Sequence, residues 1–326
     1  MTAAELTVAI GGFGVIGEAV ARRLDKGIPG LRLVAVSARD REAAASRMAG
    51  MANPVPVVAL DELAALADVV VECAPAALFA EIAGPAVEAG RIFIPLSCGA
   101  LLDHPALAER AGDTGARILV PTGALLGLDA VRAAGEGTIH SVSMVTRKPP
   151  KGLVGAPYLV QNHIRVDNLT EKVKVFEGSA RDAVRGFPAN VNVAVALSLA
   201  GIGPDRTSIE IWADPDVERN THTITVDSDA TRFTMTIEGI PSEASPGCVR
   251  CCRFACRRFA VAAWIHGASP KLTGNRSRKP GSVVSARTLV RLAMPGCAFC
   301  RRPVCHPSPG NSGTAGRRLR ACHPRR

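Results

Sequence analysis

Leu6-Thr7-Val8-Ala9-Ile10, running into Gly11-Gly12-Phe13-Gly14-Val15-Ile16-Gly17, decides how this chain is read. The first five residues are a short apolar strand, and residues 18–24 read as a helix. Gly12, Gly14 and Gly17 therefore form G-x-G-x-x-G in the strand–turn–helix setting that gives the motif physical meaning. Gly12 permits the tight turn, Gly14 lets backbone approach a pyrophosphate, and Gly17 allows the helix to pack closely on the strand. The helix N-terminus adds a partial positive charge where the phosphate would lie. Gly12, Phe13, Gly14, Val15 and Ile16 are thus the expected dinucleotide-contacting loop.

Working outward, a second strand at residues 31–37 follows at βαβ spacing and ends in Ser37-Ala38-Arg39-Asp40. An acidic residue at such a strand tip bonds the ribose of NAD, whereas an arginine accepts the 2′-phosphate of NADP. With both present, NAD and NADP both stay open, Arg39 being the candidate phosphate contact or a solvated loop charge. Further apolar strands at 57–59, 69–73, 92–96 and 118–120 alternate with alanine-rich helical stretches such as 75–89. That alternation predicts a doubly wound, Rossmann-type parallel sheet over residues 1–123. Ligands bind at the carboxyl ends of such strands, which places Cys73-Ala74-Pro75 and Ser97-Cys98-Gly99 beside the cofactor. Cys73 is a candidate cofactor neighbour by topology. As thiols, Cys73 and Cys98 read as small buried fillers, since no adjacent feature would activate a thiolate.

From residue 139 the pattern changes to strands, at 139–146, 173–177, 208–213, 221–226 and 233–238. One helix over 190–200 interrupts them, with Asn190 as its N-cap. The expected fold class is therefore α/β: the Rossmann-type sheet followed by a smaller α+β substrate domain, 124–243, whose open mixed sheet closes over the nicotinamide end.

A break in charge follows. Glu243 is the last acidic residue, and the stretch after it holds seventeen Lys or Arg and eight of the ten cysteines. Residues 1–243 carry 29 acidic and 22 basic side chains, a net charge of −7, so the overall +10 belongs to 244–326. With two cysteines and no basic n-region before the first strand, 1–243 reads as a cytoplasmic protein of reducing surroundings. No stretch approaches the roughly 18 to 20 apolar residues needed to cross a bilayer.

Residues 244–326 show neither helical nor strand periodicity, and a GC-rich gene read out of frame would yield this composition. Translation of the other two frames past codon 243 tests that expectation. Two alternatives stand beside it. One is a zinc or nucleic-acid module using Cys297, Cys300, Cys305 and His306. The other is a disordered tail. No specific nucleic-acid partner and no metal site are expected, because aromatic platforms and finger spacing are missing.

Four segments carry a family resemblance: Pro121-Thr122-Gly123-Ala124-Leu125-Leu126-Gly127-Leu128-Asp129-Ala130, Thr146-Arg147-Lys148-Pro149-Pro150, Phe187-Pro188-Ala189-Asn190-Val191-Asn192-Val193-Ala194, and Ala213-Asp214-Pro215 with Arg219-Asn220-Thr221-His222. In this order they resemble the L-aspartate dehydrogenase family across most of residues 5–243. The resemblance implies NAD(P)-dependent oxidation of L-aspartate to iminoaspartate, which hydrolyses to oxaloacetate and ammonia or feeds NAD biosynthesis. It implies further that His222 matches the active-site histidine and that Ala124 and Asn190 match nucleotide-contacting positions. Read alone, a histidine in a polar strand is structural or solvated, and Asn190 serves as a cap. The expected partner is a small dicarboxylic amino acid, and the expected assembly a homo-oligomer. Arg147 and Lys148 are the candidate cations for the substrate carboxylates, or else exposed charges before a Pro-Pro turn. After Ile240-Pro241-Ser242-Glu243 the family's Asn-Pro-x-Thr stretch and final apolar helix do not appear.

Overall fold

A computed structural model describes residues 5–122, 125–188, 192–242 and 245–249. The first part is built from β1 (Leu6–Gly11), α1 (Val15–Asp25), β2 (Leu31–Ser37), α2 (Arg41–Met48), β3 (Val57–Val58), α3 (Leu63–Leu66), β4 (Val69–Glu72), α4 (Phe79–Glu88), β5 (Ile92–Pro95), α5 (Ala106–Thr114) and β6 (Arg117–Ile118). Its six strands are parallel in the order β3-β2-β1-β4-β5-β6. Strand order reverses between β1 and β4, which creates the crevice at their carboxyl ends. Because helices cover both faces, the central strands are buried throughout: every residue of β4 and β5 is buried, and all but Glu72 are apolar. One face packs Val8, Ile10, Val36 and Val71 against α1 and α2, while the other packs Ala9, Val70 and Phe93 against Phe79, Ile82 and Leu63.

The second part contains α6 (Leu128–Ala134), β7 (Ile139–Lys148), α7 (Pro157–Gln161), β8 (Val173–Ser179), α8 (Ala180–Gly186), α9 (Asn192–Ala200), β9 (Thr207–Ala213), β10 (Asn220–Ser228) and β11 (Arg232–Gly239). The five strands lie in the order β11-β10-β7-β9-β8, antiparallel except for the parallel pair β7 and β9. This sheet is one-sided. Val142, Met144, Ile209, Ile211, Ile224 and Val226 enter one core with α6, α8 and α9. On the opposite face Thr223 meets Thr236 and Thr225 meets Thr234 through their hydroxyls, a polar ladder suited to water. The open mixed sheet expected from sequence is present.

The expectation of a single helix in this part is corrected, since α6, α7 and α8 stand beside α9. Each is seven residues or shorter, too brief for helical periodicity to show in sequence. Burial holds them instead, and α8 alone of the three has a side-chain N-cap: the Ser179 hydroxyl accepts the Asp182 N–H at its start. β12 (Pro241–Ser242) pairs with β13 (Ser245–Val249), so strand structure continues past Glu243. Cys297, Cys300, Cys305 and His306 lie outside the described residues. Among those described, no helix is long and apolar enough to cross a membrane.

Candidate functional site

The glycine loop forms the first half of the candidate site. Gly12 has φ +103, and a Cβ there would lie 2.6 Å from the Cys73 backbone. Both conformation and space therefore demand glycine. At Gly17 a Cβ would stand 1.9 Å from the Gly12 carbonyl oxygen, so this glycine lets α1 press against the turn. Gly14 differs: nothing lies within 4 Å of where its Cβ would be. It is exposed at the N-cap of α1 and has no side chain to bond the first-turn N–H groups. A pyrophosphate could approach that backbone directly, so the loop fits a dinucleotide.

The loop is braced from outside. Phe13 is buried, and the Arg47 guanidinium lies over its ring while donating to the Phe13 carbonyl at 3.1 Å. Arg47 also reaches Glu18 on α1 at 2.9 Å. Phe13 thus anchors the loop through its ring and leaves only backbone for a ligand. Val15 is exposed and Ile16 partly so. The Cys73 N–H donates to the Gly11 carbonyl at 2.7 Å, which sets residues 73–74 against Gly12. Arg39 is exposed beyond β2, and the Asp40 carboxylate accepts the Ala43 N–H to cap α2. One oxygen of Asp40 is therefore committed to the fold. The buried Cys98 thiol donates to the Pro95 carbonyl, in keeping with a filler.

Glu72, at the tip of β4, was not singled out from sequence. It is wholly buried and accepts from the Ser97 N–H at 2.8 Å, the Ser97 hydroxyl at 3.0 Å and the Leu96 N–H at 3.1 Å. Burial raises its pKa while these bonds oppose the rise. The same segment is gripped from the second part: Asn192, opening α9, donates to the Leu96 carbonyl at 3.1 Å and accepts from the Gly99 N–H at 3.3 Å. Residues 96–99 are thus held by β4 on one side and α9 on the other. An isolated Glu ending the run Val69-Val70-Val71-Glu72 was the available signal, since a carboxylate in an otherwise buried strand needs partners.

The second half of the candidate site lies at the end of the other sheet's covered face. Along β7 that face runs from apolar Val142 and Met144 to polar Thr146 and Lys148, both 4% exposed. His222 on β10, also 4% exposed, is the register partner of Thr146. Its Nδ1 lies 3.0 Å from the Thr146 hydroxyl. Burial, and after it the Lys148 charge, lowers the His222 pKa to about 4. Burial alone lowers that of Lys148 to about 8. The imidazole is therefore neutral at pH 7, and Lys148 supplies a nearby cation.

Arg147 and Lys148 do not converge, because successive strand residues face opposite ways. The Arg147 guanidinium holds the wholly buried Asp214 at 2.5 Å, and Asp214 also accepts the Asp216 N–H. That pair secures the turn after β9. The reading of Lys148 as an exposed charge is corrected by its burial. Ala124 and Asn190 lie outside the described residues.

A glycine turn open to pyrophosphate, together with a neutral buried imidazole and a cation on a separate one-sided sheet, defines a class: two-part dehydrogenases that use a nicotinamide dinucleotide. Comparison with known proteins narrows it. Residues 12–121 match the model for the NAD binding domain of homoserine dehydrogenase, and 129–252 match the aspartate dehydrogenase C-terminal model. L-aspartate dehydrogenase 3 of Bordetella bronchiseptica is 58% identical over 240 residues, covering 73% of this chain and 88% of that protein. L-aspartate dehydrogenase of Bradyrhizobium diazoefficiens is 56% identical over 239 residues, covering 73% and 85%. The chain belongs to the L-aspartate dehydrogenase family. The crystal structure of aspartate dehydrogenase from Thermotoga maritima shares the fold, with TM-score 0.58 at 23% identity over 83% of this chain and 100% of that one.

Proposed function

We propose that this chain oxidises L-aspartate to iminoaspartate with reduction of NAD or NADP, the imine then hydrolysing to oxaloacetate and ammonia. The observation that carries the reading is the buried His222 and Lys148 on one covered sheet face, in a chain whose glycine loop fits a dinucleotide. A bound nicotinamide ring would supply the hydride acceptor for the substrate Cα. The chain's own residues do the rest. Gly12, Gly14 and the first turn of α1 would hold the pyrophosphate. Lys148 pairs with a substrate carboxylate, and its desolvation strengthens that attraction. His222, neutral at working pH, takes the proton that the amine loses as C=N forms, or activates the water that attacks the imine.

Aspartate-dependent reduction of NAD or NADP by the full chain tests the reading, with His222→Ala as its control. A loss of about 10²-fold or more in kcat is expected for the variant, the usual worth of a positioned acid–base group. Full turnover by His222→Ala would remove His222 from the chemistry. The imino product is a reactive intermediate suited to pyridine-nucleotide synthesis, and trapping it with a coupled consumer before hydrolysis would test that fate.

A further inference from the structure

A neutral imidazole carries one ring proton, and the nitrogen that holds it decides which nitrogen can act as a base. At His222 the neighbour of Nδ1 is fixed by register. Thr146 stands directly opposite on β7, on the same covered face, with its hydroxyl 3.0 Å from Nδ1. Ile237 on β11 and Ile211 on β9 extend that row and bring no charge. Lys148, two residues along the face, is the charged neighbour whose field acts on the ring. The β-branched Thr146 side chain has restricted χ1 freedom in a strand, so its oxygen is held in place.

We propose that Thr146 is a positioning residue: its hydroxyl oxygen accepts the Nδ1–H of His222 and so leaves Nε2 as the proton-accepting nitrogen. If the hydroxyl donated instead, Nδ1 would be the acceptor, Nε2 would carry the proton, and no free ring nitrogen would remain to serve as base. The inference rests on the assignment of His222 as the base, and it explains why a hydroxyl ends a run of apolar residues on this face. Burial, and after it the Lys148 charge, keeps the ring from taking a second proton. Thr146 determines where the first one sits.

The test uses full-length chain labelled with ¹⁵N-histidine, His222 being assigned among the seven histidines by its loss in His222→Asn. In the wild type, ring shifts report a protonated Nδ1 and an unprotonated Nε2. Thr146→Val shifts the ring toward the Nε2–H form, and Thr146→Ser restores the original pattern. In turnover, Thr146→Val lowers kcat about 10- to 100-fold with KM changed by about twofold or less, and the serine variant recovers most of the rate. An Nε2–H ring in the wild type would overturn the proposal even if the valine variant failed to fold. Unchanged ring shifts in a folded valine variant would do the same. Because the spectra need no turnover, the expected tautomer in a chain inert toward aspartate would support Thr146 while refuting the aspartate reading.

Discussion

The two ionisable groups at the end of the covered sheet face impose opposite demands on stability and function. His222 titrates near 4 in the fold against 6.5 ordinarily, so between those values the unfolded chain binds more protons and stability falls as pH drops. Lys148 titrates near 8 against 10.5, so its burial is most costly below pH 8 and is relieved as pH rises toward 10.5. Each shift corresponds to up to about 3 kcal/mol. Lys148→Met is therefore expected to raise Tm at pH 7 while lowering kcat/KM for aspartate, a trade seen wherever function holds a charge in an unfavourable place. In the wild type, kcat/KM should show an acidic limb below pH 5 and a basic limb near pH 8. Lys148→Arg should move only the basic limb, a displacement the substrate amine cannot produce; an unmoved limb would dissociate Lys148 from substrate binding.

Arg39 tests cofactor choice at the same scale. Its exposure beyond β2, with Asp40 turned to cap α2, leaves the guanidinium available to a 2′-phosphate. Arg39→Ala should weaken NADP about tenfold while NAD changes by about twofold or less, since only one of them carries the anion that arginine recognises. Equal losses for both, measured by nucleotide titration, would make Arg39 a solvated charge.

Between elements, the segment joining β5 to the following turn is the structural hinge-pin. Glu72 binds Ser97 and Leu96 from β4, and Asn192 binds Leu96 and Gly99 from α9. Glu72→Ala would remove the acceptor of the part-buried Ser97 N–H and leave the Ser97 hydroxyl only its longer contact with the Ala74 carbonyl. Unfolding in urea should show a loss of about 2 to 4 kcal/mol. A loss under about 0.5 kcal/mol would mean that water replaces the carboxylate.

The elements also show what sequence can and cannot reveal. β1, its glycine turn and α1 were legible because three glycines each answer a local steric requirement. β7, β9, β10 and β11 were legible because one face is apolar and the other polar. The short α6, α7 and α8 were not, since they owe their form to tertiary burial, with a side-chain N-cap at α8 alone. Of the candidate site, His222 was legible through resemblance alone. Thr146 and Glu72 went unnoticed because their roles depend on partners 76 and 25 positions away in the chain. Lys148 was named, but burial distinguishes it from Arg147, and burial is a property of the assembled sheet.

Across the whole molecule, the two sheets are assembled from sequence in different ways. In the Rossmann-type sheet each strand joins the one before it in sequence, except β4, which returns to β1. In the second sheet, central β7 waits for β9 and β10, and β7 and β9 run parallel, which demands the long excursion through α7, β8, α8 and α9. Non-local pairings of this kind are slow to form, and the part of a chain made first folds first. The consequence concerns timing. Thr146 leaves the ribosome 76 residues ahead of His222, so the proposed base and its proposed positioning residue meet only after the nucleotide-binding sheet has been synthesised. A nascent or arrested chain can thus retain NAD while lacking any means of catalysis, and nucleotide retention is no proxy for a finished enzyme.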